Sequence, residues 1–183
     1  MPITTIDPRT ALIVIDLQQG VAEMPLAHPF SVVTERTVEL LRAFRERGLP
    51  VVLVNVAGSP SGRTDAGSSA PRSLPDDWSV LVPELDRQPE DILVTKYARS
   101  AFTATGLAER LRELDVTQVV ITGVATAGGV ESTARDAHEQ GFNVTLPVDA
   151  MTDSQLARHE HSITTVFPRI AESGTTRDVL EKL

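Results

Sequence analysis

The chain has no cysteine among its 183 residues, so disulfides, thiolate metal sites and thiol nucleophiles are excluded at the outset. Aromatic residues are scarce, at 4%, which leaves the core to be built from aliphatic side chains. A basic surface is lacking too. The formal net charge is −8, whereas nucleic acid or an anionic membrane requires a positive patch; no partner of either kind is expected. No apolar run approaches the ~18 residues that cross a bilayer. The opening MPITTIDPRT has no basic segment followed by an apolar stretch, so no signal peptide is read there. The expectation is a cytoplasmic protein with a single domain over residues 1–183, long enough to bury a substantial core.

What is present is α/β patterning. Ala11–Asp16 (ALIVID) is a continuous apolar run ending in an acid, the pattern of a parallel strand buried on both faces. A loop is expected over Leu17–Pro29, then a helix over Phe30–Arg47 with Val33, Val38, Leu40, Leu41 and Phe44 at helical spacing, stopped by Gly48-Leu49-Pro50. Val51–Val56 reads as the second strand. The Gly/Ser/Pro-rich stretch Ala57–Asp77 reads as a long loop, either a plain surface loop or one that faces substrate. Further along, a short turn or helix is expected over Trp78–Leu85, strands over Ile92–Thr95, Val119–Thr122, Phe142–Val148 and Ile170–Glu172, and helices over Leu107–Leu114 and Leu156–Phe167. A last helix is expected over Thr175–Leu183, capped by Thr175 or Thr176. Six strands alternating with helices imply a mainly parallel sheet covered on both faces.

The chain is organised around Val119–Ala137 (VVITGVATAGGVESTARDA): a strand, a glycine turn at Gly123 and a helix starting near Thr126 and running to about Gln140. A strand running into a helix N-terminus leaves free backbone N–H groups that suit an anion, at the sheet edge where ligands bind in open α/β folds. Asp16 and Lys96 end two other strands and are expected on the same edge, where an acid and an ammonium group would tune each other for proton transfer. Each also has a plainer reading, Asp16 as a turn cap and Lys96 as a solvated charge. Asp149 reads as a turn cap, and Glu131 with Arg135 as an i,i+4 surface pair. His159 and His161 stand two apart on a helix, so their side chains diverge and metal binding is not expected.

The ordered motifs IDLQ, K-x-x-R-S-A-F, GVAT-x-x-x-V-x-STARDA and a later V-DA are similar to those of the isochorismatase-like hydrolases, which include cysteine amidases related to nicotinamidase. The resemblance covers most of the chain. It implies an α/β fold, a three-layer α/β/α sandwich on a six-stranded parallel sheet in the order 3-2-1-4-5-6. It further implies a non-proline cis peptide at Val124–Ala125, and a homodimer or homotetramer. Asp16 matches the acid of the amidase triad and Lys96 its lysine, while Gly129 occupies the nucleophile's position. Thioester chemistry is thereby excluded, and Ser132, one turn further on, is poorly placed to replace the thiol. In the true isochorismatases that position is also commonly glycine. The resemblance then implies that Asp16 protonates a vinyl ether, that water captures the resulting cation, and that Lys96 orients Asp16 and attracts an anionic small-molecule substrate. Gln18, Asn55 and Arg99 are candidate substrate contacts, together with Val124, Ala125 and Gly128 of the turn.

Where this chain has Ala125, Thr126 and Ala127, the isochorismatase branch carries bulkier residues, which leaves a different substrate open. Zinc-binding members carry Asp-x-His after the second strand; here the region reads NVAGSPSG, and neither metal nor cofactor is expected. The competing reading is a non-catalytic binding or scaffold protein that kept the fold. It is disfavoured if Asp16 and Lys96 are buried within hydrogen-bond reach under an open pocket, and Gly129→Cys would test whether only a nucleophile is missing.

Overall fold

The computed structural model describes residues 3–65, 67–68 and 74–183. β1 (Thr10–Ile15) is buried at every position. After it, the expected loop contains one helical turn, α1 (Gln19–Ala22), too short to leave a periodic trace in the sequence. α2 (Phe30–Glu46) buries Val33, Leu40, Leu41 and Phe44 as expected, with Val38 half-buried. It ends at Gly48, whose φ of +64° is a left-handed conformation that glycine adopts freely. β2 (Val51–Val56) follows. Of the expected loop Ala57–Asp77, residues 66 and 69–73 lie outside the described residues. The described part carries a two-residue antiparallel ladder, β3 (Arg63–Thr64) with β4 (Gly67–Ser68).

A short 3-10 turn at Pro83–Leu85 leads to β5 (Ile92–Lys96), α3 (Leu107–Glu113) and β6 (Gln118–Val124). The peptide bond Val124–Ala125 is cis, as the family resemblance implied. The helix expected from Thr126 becomes regular only as α4 (Glu131–Glu139). Before it lies a wide turn, Thr126–Val130, broken at Gly128 (φ −114°, ψ −106°). β7 (Asn143–Pro147), β8 (Met151–Thr152) and α5 (Leu156–His161) come next, the last prolonged by irregular helical turns through Arg169. β9 (Glu172–Gly174) begins later than the expected Ile170, because the N–H groups of Ile170 and Ala171 close a turn on Phe167 O at 3.0 and 2.9 Å. α6 (Thr176–Leu180) is capped by Thr175 through a reciprocal box with Asp178.

The principal sheet has seven strands in the order β5-β2-β1-β6-β7-β9, with β8 beside β6, and its pairs are parallel. Counting the six longer strands alone gives 3-2-1-4-5-6; β8 is the addition. Strand alternation sends Ala11, Ile13 and Ile15 into one core with Leu107, Leu111 and Ala134. Leu12 and Val14 go into another with Leu40, Phe44 and Val179. Helices α3 and α4 thus cover one face, α2 and α6 the other. Because β1, β2, β5 and β6 run the same way, their carboxyl ends share one edge.

Candidate active site

Two elements aim the ionisable pair. Asp16 is the residue immediately after β1 and has a left-handed backbone, φ +52°, a conformation Asp tolerates better than most side chains. Its N–H donates to Val54 O at 2.9 Å, so the chain turns while still attached to β2. Lys96 ends β5, two strands away across β2, a lateral distance of roughly 10 Å that the long lysine stem bridges. Its ammonium donates to Asp16 Oδ2 at 2.8 Å and to Ala98 O at 3.2 Å.

Both residues are buried, Asp16 at 6% and Lys96 at 2% exposure. Asp16 Oδ1 finds no hydrogen-bond partner among the described residues. A carboxylate with one oxygen unpaired in a dry setting favours its neutral form. Burial accordingly pushes the Asp16 carboxyl up to about 6, against the opposing charge and hydrogen bond of Lys96.

Above the pair opens a cleft of about 880 Å3, to which Asp16, Lys96, Arg99, Gly129, Ser132 and Asp136 contribute, with residues 58–62 as a further wall. Gly129, Ser132 and Asp136 stand i, i+3 and i+7, so the face of α4 and its preceding turn lines one side. A side chain at 129 would enter only if its neighbours shifted. A Cβ there would lie 2.8 Å from Ile15 Cγ2, 3.3 Å from Asp16 Oδ2 and 3.4 Å from Val124 O. Gly123 is forced: at φ +113° a Cβ would run into the carbonyl of Ile15, so β6 could not lie this close to β1.

An isochorismatase domain is matched over residues 10–178. The chain belongs to the isochorismatase family. An uncharacterised isochorismatase family protein of Escherichia coli is 37% identical over 183 residues, spanning 95% of this chain and 96% of its own length. A solved isochorismatase family structure from Burkholderia thailandensis has a TM-score of 0.92 at 38% identity and covers 98% of this chain and 97% of that one. More distant relatives carry named activities. A Bacillus subtilis protein named isochorismatase is 28% identical over 97% of this chain and 59% of its own. A Pseudomonas putida maleamate amidohydrolase is 27% identical over 96% and 87%.

In this isochorismatase-family protein the structure gathers Asp16, Lys96, Gly129 and Arg99 around one cleft and leaves the other candidates outside its described lining. Arg99 makes no hydrogen bond or ion pair among the described residues. Gln18 is fully buried, and its amide is spent on backbone: Nε2 donates to Val56 O (3.1 Å) and Trp78 O (2.7 Å), while Oε1 accepts from Val56 N (2.8 Å). It braces β2 against the segment at Trp78 and offers no group to a ligand. Asn55 donates to Ser79 O at 2.7 Å. Val124 is buried, and Ala125 packs against the α2 side of the core.

The turn also departs from the open N–H cradle expected of it. Ala127 N donates to Asp153 Oδ2 at 2.9 Å, and Gly128 N and Val130 N both donate to Ala125 O, at 2.9 and 3.2 Å. Those donors are occupied within the protein and cannot hold an anion. Asp149 caps α6 by accepting from Thr176 N and Oγ1, and Glu131 pairs with Arg135 as expected. His159 is buried and His161 exposed, in keeping with their divergence. Asp136 was not singled out from sequence, although its i+7 spacing from Gly129 carried the signal.

Proposed function

We propose that the protein hydrolyses a small anionic vinyl ether, with isochorismate as the named candidate, by acid catalysis without a covalent intermediate. The observation carrying this reading is Asp16: a buried carboxyl pushed up to about 6, one oxygen held by Lys96 and the other without a partner among the described residues, in the floor of an open cleft. Gly129 stands where the amidase branch carries its nucleophile, and a chain without cysteine forms no thioester.

In the first step protonated Asp16 delivers its proton to the terminal methylene of the enolpyruvyl group. The double-bond electrons form the new C–H bond, leaving an oxocarbenium carbon next to the ether oxygen. Water adds to that carbon and returns a proton to the Asp16 carboxylate. The hemiketal then breaks its bond to the ring oxygen, giving pyruvate and the ring alcohol with net consumption of one water. Lys96 holds Asp16 Oδ2 and, once Asp16 is ionised, balances its charge. Arg99, which has no partner among the described residues and lines the same cleft, would take a substrate carboxylate.

A binding-only protein would have no need of a buried acid with a raised pKa under an open cleft, and this supports the catalytic reading over the scaffold one. Pyruvate release from isochorismate, followed with a coupled assay, tests the proposal. Turnover by the native protein and its loss in Asp16→Asn is the expected result. Absence of turnover in a folded native protein overturns it.

A further inference from the structure

The turn Thr126–Val130 reaches the cleft through Gly129 and is anchored at its other end by side chains the proposed reaction does not use. Thr126 is fully buried, and its Oγ1 lies 2.8 Å from Nδ1 of His159 on α5. The following residue, Ala127, is held by Asp153. His159 packs against His28, with ring centroids 4.8 Å apart and planes tilted by 59°. His28 is itself fixed: its backbone N–H donates to Thr152 Oγ1, and its Nδ1 lies 3.1 Å from the same oxygen. One hydroxyl thus ties both the backbone and the ring of His28 to Thr152.

We propose that His159 is a positioning residue that holds the Gly129 turn through Thr126, and that its protonation releases the turn and gives the site an acid limit. Only the kinetic readout of this proposal rests on the hydrolytic reading above. We take the tautomer with the ring proton on Nε2, in which Nδ1 accepts the hydroxyl proton of Thr126. Protonation turns that acceptor into a donor, strands the Thr126 proton in a buried place, and sets a cation against a second imidazole. Burial and His28 both oppose the charged form, Asp153 and Glu160 favour it, and the balance lowers the His159 pKa. Glu131 also faces this region, accepting from Ser162 Oγ at 2.6 Å on the continuation of α5, and its charge is met by Arg135. A proton taken up here acts on the turn that carries Gly129, without touching substrate.

Two substitutions separate holding from titrating. His159→Asn keeps a hydrogen-bonding group near the Nδ1 position and removes the titration; His159→Leu removes both. The experiment follows the amide signals of Ala127 and Gly129 by NMR between pH 4 and 8, in an Asp16→Asn background that removes the acid titrating at the cleft. Both amides are expected to shift together with the His159 ring signal, below the ordinary histidine range, and the transition is expected to vanish when His159→Asn is added. A transition that survives His159→Asn, or a His159 titration that moves neither amide, overturns the proposal. In the Asp16-intact protein, His159→Leu is expected to lower kcat roughly 10- to 100-fold, while His159→Asn regains it at neutral pH and loses the acid limb. If native protein turns over no vinyl ether, the hydrolytic reading fails and the NMR titration still decides this one.

Discussion

A side chain on Gly129 would start 2.8 Å from Cγ2 of Ile15. Ile15 is completely buried and branched at Cβ, so its methyl group has no free rotamer to retreat into. The close approach of the turn to β1 therefore depends on glycine. From sequence, Gly129→Cys reads as the test of whether only a nucleophile is missing; in the structure a Cβ there enters only if Ile15 shifts. The expected outcome is a loss of about 1–3 kcal/mol of stability from overpacking, with no amidase activity on a small amide. Denaturant unfolding and an ammonia-release assay check this. A variant as stable as the native protein would show that Ile15 yields.

The proposed proton donor sets the pH dependence. Asp16 must be protonated to act, and its carboxyl titrates near 6. The rate constant kcat/KM is therefore expected to be highest below that value and to fall as pH rises through it, by tenfold for each pH unit well above. A neighbouring His159 that limits the site in acid would make the profile bell-shaped. A kcat/KM that stays flat from pH 5 to 8 would rule out Asp16 as the acid.

Lys96→Met separates the roles of the pair. Lys96 lowers the Asp16 pKa by its charge and its hydrogen bond, against burial, so its removal moves the alkaline limb upward. Stability follows with a definite sign. Asp16 in the folded state holds its proton more tightly than in the unfolded chain, so its contribution falls as pH rises from about 3.8 through 6. Without Lys96 the ionised carboxylate has no partner, and the variant's deficit is expected to widen at alkaline pH, toward about 3–5 kcal/mol. Urea unfolding of both proteins at pH 5 and pH 8 measures the difference. Equal deficits at the two values would mean that Lys96 contributes packing alone.

How far the sequence carries depends on whether a feature is local. The run ALIVID and the stripe of α2 announce themselves because periodicity and burial are written in adjacent residues. Asp16, Lys96 and Gly129 could be placed on one edge because strand ends in a parallel sheet share it. α1 and β8 were invisible because four and two residues are too few for a period. The fate of Gln18 was hidden for another reason: its partners, Val56 and Trp78, lie far along the chain. His28 and His159 are brought together only by the fold, through segments flanking α2 and within α5.

Gln18→Leu discriminates between a substrate contact and a brace. All three of the Gln18 amide's hydrogen bonds go to backbone groups of Val56 and Trp78, and leucine would leave those groups unpaired beside a fully buried site. Each unsatisfied buried group costs about 1–3 kcal/mol, so with three groups left unpaired a loss of about 3 kcal/mol or more is expected. For a chain of this length that lowers Tm by roughly 6–12 °C. Val56 lines the cleft, and slackening there is expected to change kcat less than twofold so long as the protein is folded. Calorimetry and steady-state kinetics at a temperature well below both transitions separate the two roles. A variant with native Tm and a KM raised tenfold would return Gln18 to the substrate, because a brace cannot be removed without loss of stability.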